Sequence, residues 1–213
     1  VEAAREILKV IRDAAGPDTH LQTAVASTPG YVGLIDAARV GRDFGEGRPL
    51  FPPYNAWRNA TYALHDEHFG NVFHFVQNAA ACWFTHRKVY INDLNVLTVD
   101  KPVPLEFARI ATTLFGLAGD TPLSLGDDLR HIEPQRLGMI KLCLPRTAGM
   151  PVAVELLDNV APEDYCRILK LPVSTDWDDY LLVAVCNFDE DARPTRLGFD
   201  ALGLPVEKAY RVF

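Results

Sequence analysis

The chain has 213 residues, 48% hydrophobic and 23% charged, with a formal net charge of -7. That length and apolar content bury a sizeable core in one large or two modest domains and exclude a disordered chain. The acidic balance, with no basic face in the sequence, argues against nucleic acid as the main partner. No uninterrupted apolar run reaches the roughly 20 residues of a membrane span.

In chain order, "VEAAREILKVIRDAAG" opens as an amphipathic helix rather than a signal peptide. Ala4, Ile7, Leu8 and Ile11 form one stripe, and Gly16-Pro17 stops it. "HLQTAVAS" reads as a short strand ending before Pro29-Gly30, and "DAARVGRD" as a second strand. After a Pro-rich connection, "NAWRNATYALHDEHF" reads as a helix, "VFHFVQNAAACWF" as buried apolar chain and "RKVYINDLNVLTV" as a third strand. "VPLEFARIATTLFGLAG" is then a helix closed by Gly116 and Gly119, "TPLSLGDDL" a fourth short strand and "PQRLGMIKLCL" a last helix. Strands alternating with helices predict parallel pairing through helical crossovers. From about Met150 the character changes. "VAVELLD", "YCRILKLPV", "YLLVAVCNF", "TRLGF" and "KAYRVF" are short, β-rich and separated by turn residues, predicting a small antiparallel β-domain over residues 150–213 behind an α/β unit over 1–149. The chain opens inside a helix and closes on a strand-like run, so further sequence is expected at both ends.

The chemistry-bearing residues cluster at the strand ends. On an extended strand Arg39, Gly41 and Asp43 share a face, with a glycine leaving room between guanidinium and carboxylate. Taken alone, the pair also fits an ordinary surface ion pair. "NDLN" at 92–95 fits an Asx turn, and Asp127-Asp128 fit a cap on the helix that follows. Trp57, Trp83 and Phe84 fit core packing better than a sugar platform. His65 and His68 stand i, i+3 on a predicted helix without an evident third metal ligand. Cys82, Cys143, Cys166 and Cys186 show no metal-ligand or disulfide spacing and read as buried free thiols. "LGDD" has the Gly-Asp-Asp of metal-dependent polymerases, but the acidic chain lacks a basic template channel.

"AARVGRDFG", "YINDLNVLTV", "TPLSLGDDL" and "YLLVAVCNFDED…RLGFDALGL…AYRVF", in that order and spacing, resemble the α-galactosidase-like (melibiase) glycoside hydrolases of families 27 and 36, over about residues 4–213. The resemblance implies the C-terminal half of a (β/α)8 TIM barrel, strands five to eight, followed by a small antiparallel β-sandwich domain. It implies a retaining α-glycosidase acting on terminal α-linked sugars, α-galactosides first among them, without metal or organic cofactor. Barrel active sites lie at the C-terminal strand ends, where Ser27, Asp43, Asp93, Asn95 and Asp127 fall, and Asp43, Asp93 or Asn95, and Asp127 are expected to converge on one rim. By the same resemblance Asp43 is the general acid/base, while Arg39, Asp93, Asn95 and Ser27 contact substrate. The family's seventh-strand Asn-Asp-Pro-Asp is here Asn92-Asp93-Leu94-Asn95, so an amide stands where the second carboxylate would face the sugar. Ser27 holds a position that varies with the sugar read. The family's nucleophile belongs to a Lys-x-Asp sequence on the fourth strand and is expected upstream of this chain. The partner is a carbohydrate, with no nucleic acid and no membrane. The 213 residues alone are expected to be inactive and to pair with a complementary upstream half-barrel, self-associate or aggregate. A non-catalytic carbohydrate-binding or structural protein with a degraded barrel is the alternative.

Overall fold

The computed structural model describes residues 2–24, 29–40, 80–101, 103–119, 121–157, 166–187, 191–192 and 194–213. Ser27, Asp43, Trp57, His65 and His68 lie outside the described residues, as do the helix expected over 55–69 and most of the apolar stretch over 72–84.

Helix α1 (Glu2–Ala15) carries Glu2 in its first turn and Arg12 in its last, complementing the helix dipole. It closes where the Gly16 amide bonds the Arg12 carbonyl at 2.9 Å with Gly16 at φ +82, a left-handed cap that glycine adopts without strain. The face turned toward the rest of the chain is not the expected stripe. Arg5, Leu8, Arg12 and Ala15 are partly buried, whereas Ile7, Val10 and Ile11 are exposed. The reason is polar anchoring. Arg5 donates to the carbonyls of Gly30 and Val32, and Arg12, two turns on, donates to those of Leu34 and Thr19. Two arginines on one stripe orient the helix against its apolar periodicity.

Strand β1 (Gln22–Thr23) pairs in parallel with β2 (Ala37–Arg39), and β2 in parallel with β3 (Ile91–Asp93). Three residues on, β4 (Val96–Leu97) pairs in parallel with β5 (Ser124–Leu125). Neighbouring strands thus follow chain order. Helix α2 (Leu105–Leu117) fills the connection from β4 to β5 and buries Ala108, Ala111, Thr112, Leu114, Phe115 and Leu117. Gly116 lies within this helix rather than closing it, and Phe115 is fully buried. Truncating such a ring to alanine costs about 3–5 kcal/mol. Helix α3 (Pro134–Leu142) begins with proline at its first position, where the missing N–H would lack an intrahelical partner anyway.

Beyond residue 150 the pairing is antiparallel. Strands β6 (Val152–Ala153), β7 (Ile168–Ser174) and β8 (Asp179–Val185) form one sheet in that order. One face, carrying Leu169, Leu171 and Ala184, is buried. The expected strands at 195–199 and 208–213 are absent from any ladder. Turns at 199–203 and 206–207 interrupt this stretch, Gly203 takes φ +75, and Lys170 Nζ ties it to the sheet through the Leu202 carbonyl at 2.8 Å. A single apolar cluster runs from Ala38 and Leu97 through Phe115 and Met150 to Leu169 and Ala184, so the core is continuous across residue 150.

Candidate functional site

In a parallel pair, residues in register share a face of the sheet. Arg39, last in β2, stands in register with Asp93, last in β3; Ala37 stands beside Gln22 on one side and Ile91 on the other. Gln22, Ala37, Arg39 and Asp93 therefore lie on one side. Ala37 is fully buried and only a methyl group deep. Across it Gln22 Nε2 reaches the Asp93 carboxylate Oδ2 at 2.5 Å, spanning the middle strand. The other oxygen of Asp93 accepts the Asn95 backbone N–H at 2.8 Å, an Asx turn that places Asn95 at φ +77. Asparagine tolerates that left-handed conformation better than most residues with a Cβ. Asp93 is almost wholly buried and both its oxygens accept hydrogen bonds, so it orients the turn that carries Asn95.

The preceding residue points the opposite way and does a different job. Asn92 is fully buried; its amide donates to the Cys82 carbonyl at 2.9 Å and accepts from Thr85 Oγ1 at 2.9 Å, while its backbone N–H donates to His86 Nδ1 at 3.1 Å. An accepting Nδ1 leaves the His86 proton on Nε2. Asn92 thereby fastens the 3-10 turn Trp83–Thr85 beneath β3. Core packing does not hold for the aromatics of that turn. Phe84 is exposed and Trp83 only half-buried, the two rings meeting edge to face at 6.4 Å, with Lys88 Nζ 5.7 Å from the Trp83 ring. A three-residue turn held by polar bonds on one side leaves its aromatic side to solvent.

Asp127 lies two residues beyond β5, after Gly126. Its Oδ2 accepts the Val99 N–H at 2.7 Å, and buried Arg136 grips the Val99 carbonyl and, at 2.9 Å, that of Val103. The connection leaving β4 is thus held at both ends of one residue. Gly126 makes this close approach possible, since a Cβ there would lie 2.6 Å from Val96 Cγ1. Asp127 Oδ1 is buried without a hydrogen-bond partner. Asp128 holds Arg130 at 2.8 Å and His131 at 3.1 Å, and the Arg130 guanidinium before all else keeps its carboxyl well below the usual carboxylate range. Neither aspartate caps α3, whose N-cap position is Glu133, because Pro134 starts the helix several residues later.

The structure thus places Arg39 and Asp93 side by side and Asn95 on the turn beyond, with Asp127 tied to the Val99 backbone. Gln22 and Arg136 were not singled out from sequence. A glutamine inside an apolar strand was the available signal for the first; the burial of Arg136 leaves none in the sequence. Gln22, Arg39 and Asp93 on adjoining strand ends, with Asn95 on the turn beyond, thus form one polar group in which the Gln22 amide and the Asp93 carboxylate bond each other. Among the described residues no group of three or more His, Cys, Asp or Glu is placed to hold a metal ion, and no helix is long and apolar enough to cross a membrane. No family model matches the chain, and no curated protein matches it.

Proposed function

We propose that this chain supplies the acid/base side of a retaining α-glycosidase site, with strands β1 to β5 belonging to a (β/α)8 barrel and residues after 150 to a β-sandwich domain. The observation that carries the reading is the register of Arg39 beside Asp93 at the C-terminal ends of two parallel strands, the end at which barrel enzymes build their sites. In this reading Asp43 protonates the departing glycosidic oxygen while a second carboxylate attacks the anomeric carbon. The Asp43 carboxylate then takes a proton from the water that releases the sugar. Arg39 and Asn95 hold sugar hydroxyls, Asp93 positions Asn95, and Ser27 reads the second carbon. The sequence contains no Lys-x-Asp, so the attacking carboxylate comes from outside these 213 residues.

The experiment pairs this chain with a polypeptide carrying the preceding half-barrel and its Lys-x-Asp strand, and measures hydrolysis of α-galactosides with good and poor leaving groups. The chain alone is expected to give no turnover and the combination to be active. Asp43→Ala then slows the poor leaving group about 100-fold or more and the activated one far less, because only the former needs its oxygen protonated. Equal losses would give Asp43 another role. Sugar binding without turnover by the combination would make the protein a non-catalytic carbohydrate binder.

A further inference from the structure

The hairpin between β7 and β8 presents an aromatic side chain that the packing of the molecule does not use. Trp177 is 76% exposed at its tip, although a ring of that size is usually found largely buried. It is not loosely held. Tyr180 stacks on one side of it, with centroids 5.9 Å apart and planes within 24°. The four-residue loop beneath is closed by Thr175 N donating to the Asp178 carbonyl at 2.9 Å, Thr175 Oγ1 to the same carbonyl at 2.8 Å, and Asp178 N to Thr175 Oγ1 at 3.0 Å. Ser174 Oγ adds a bond to Asp179 Oδ1 at 2.5 Å, and Asp179 N one to Asp178 Oδ1 at 2.8 Å. An indole backed by a second ring on a cross-braced turn is oriented before any partner arrives, which lowers the entropic cost of stacking on its open side.

Its surroundings narrow the partner. Asp176 and Asp178 are the chain neighbours of Trp177, Asp179 follows, and no Lys or Arg occurs from 171 to 185. Three carboxylates repel polyanions, so stacked nucleic-acid bases, which come with phosphates, are disfavoured. A quaternary ammonium calls for a cage of several aromatic walls, whereas this site offers one flat face. One flat apolar face bordered by hydrogen-bond acceptors matches a pyranose ring, whose C–H face is apolar and whose rim is made of hydroxyl donors.

We infer that Trp177, backed by Tyr180 and flanked by Asp176 and Asp178, is a surface binding site for a neutral glycan chain. The choice of α-galactosyl units as probe rests on the α-glycosidase reading; the site itself does not require catalysis. The test is native gel electrophoresis of the whole chain through gels containing soluble galactomannan, at low salt and in 0.5 M NaCl, with oligolysine as a cationic comparison. Retardation by galactomannan at both salt concentrations is expected. Trp177→Ala should weaken it about tenfold or more, Trp177→Phe should retain part of it, and Ile7→Ala, on the exposed face of α1, should leave it in place. Circular dichroism of the alanine variant checks that it is folded, which its exposure favours. Undiminished retardation of Trp177→Ala would overturn the site, as would no retardation of the unsubstituted chain. Retardation lost in Arg39→Ala but kept in Trp177→Ala would place sugar binding at the strand ends, supporting the glycosidase reading while overturning this one. Binding of oligolysine alone, abolished by salt, would make the partner a cationic peptide instead.

Discussion

At the residue scale, Asp36 is the polar joint between α1 and the parallel sheet. Its Oδ2 accepts the Leu21 backbone N–H at 2.7 Å and the Arg12 guanidinium at 2.6 Å. The Leu21 amide first, then Arg12, lower its pKa below the ordinary 3.8. A carboxyl whose folded pKa is depressed adds stability above its unfolded value and loses that stability as pH falls through the folded one. Asp36→Asn is therefore expected to lower Tm at pH 7, with the difference from the unsubstituted chain closing below about pH 4. Because the side chain is 41% exposed, solvent screening holds the effect to about 1 kcal/mol or less. Thermal melts from pH 2.5 to 7 measure it, and a gap that stays open in acid would mean the loss is one of packing. At this scale the sequence was partly legible. The Asx turn at "NDLN" followed from Asn and Asp chemistry alone, whereas Gln22 meeting Asp93 required knowing that β2 lies between them with Ala37 on that face.

At the element scale, the end of α2 is finished by a residue almost thirty positions on. Arg146 donates to the carbonyls of Phe115 at 2.7 Å, Ala118 at 2.6 Å and Gly119 at 2.9 Å, with further bonds to the Thr121 carbonyl and hydroxyl. It satisfies the carbonyls that a helix C-terminus leaves over. Gly119 has to be glycine for the segments to meet, since a Cβ would fall 1.6 Å from the Thr147 carbonyl oxygen. Arg146→Ala removes these charge-assisted bonds from the end of the helix and should cost about 2–3 kcal/mol. That corresponds to a fall in Tm of about 5–10 °C. Arg146→Lys should recover only a fraction, because an ammonium lacks the planar fork that reaches several carbonyls at once. Full recovery by lysine would show that charge near the helix end, rather than the fork, is what matters. Helix composition marked α2 in the sequence; its cap at Ala118, rather than at a glycine, and the distant arginine that completes it did not show.

At the scale of the whole molecule, the continuous apolar cluster joins the α/β part to the antiparallel sheet. Cys143 lies in it beside α3, Cys166 just before β7, and Cys186 is buried just after β8. All four cysteines are free, with Cys82 half-buried. Burial raises the Cys82 and Cys143 thiols and pushes Cys186 up to about 11. With so little thiolate present, aromatic disulfide reagents should label Cys82 first and slowly, and reach the other three only through unfolding. Since one core serves both parts, Cys143 and Cys186 should become reactive at the same urea concentration, followed residue by residue by mass spectrometry. Labelling of Cys166 and Cys186 well before Cys143 would mean that the sheet beyond residue 150 opens as a unit of its own.

Local chemistry was enough, from the sequence alone, for what depends on near neighbours: the end of α1 at Gly16, the helices at α2 and α3, the Asx turn after β3, and the absence of any metal-ligand spacing among the cysteines. The tertiary structure decided what depends on partners far along the chain. It turned α1 on its arginines rather than on its isoleucines, because carbonyls at 30, 32 and 34 were there to be bonded. It assigned Asp127 to the Val99 amide and kept the last strand-like runs out of the sheet. A period in a sequence says which residues share a face; only the packed chain supplies what that face meets.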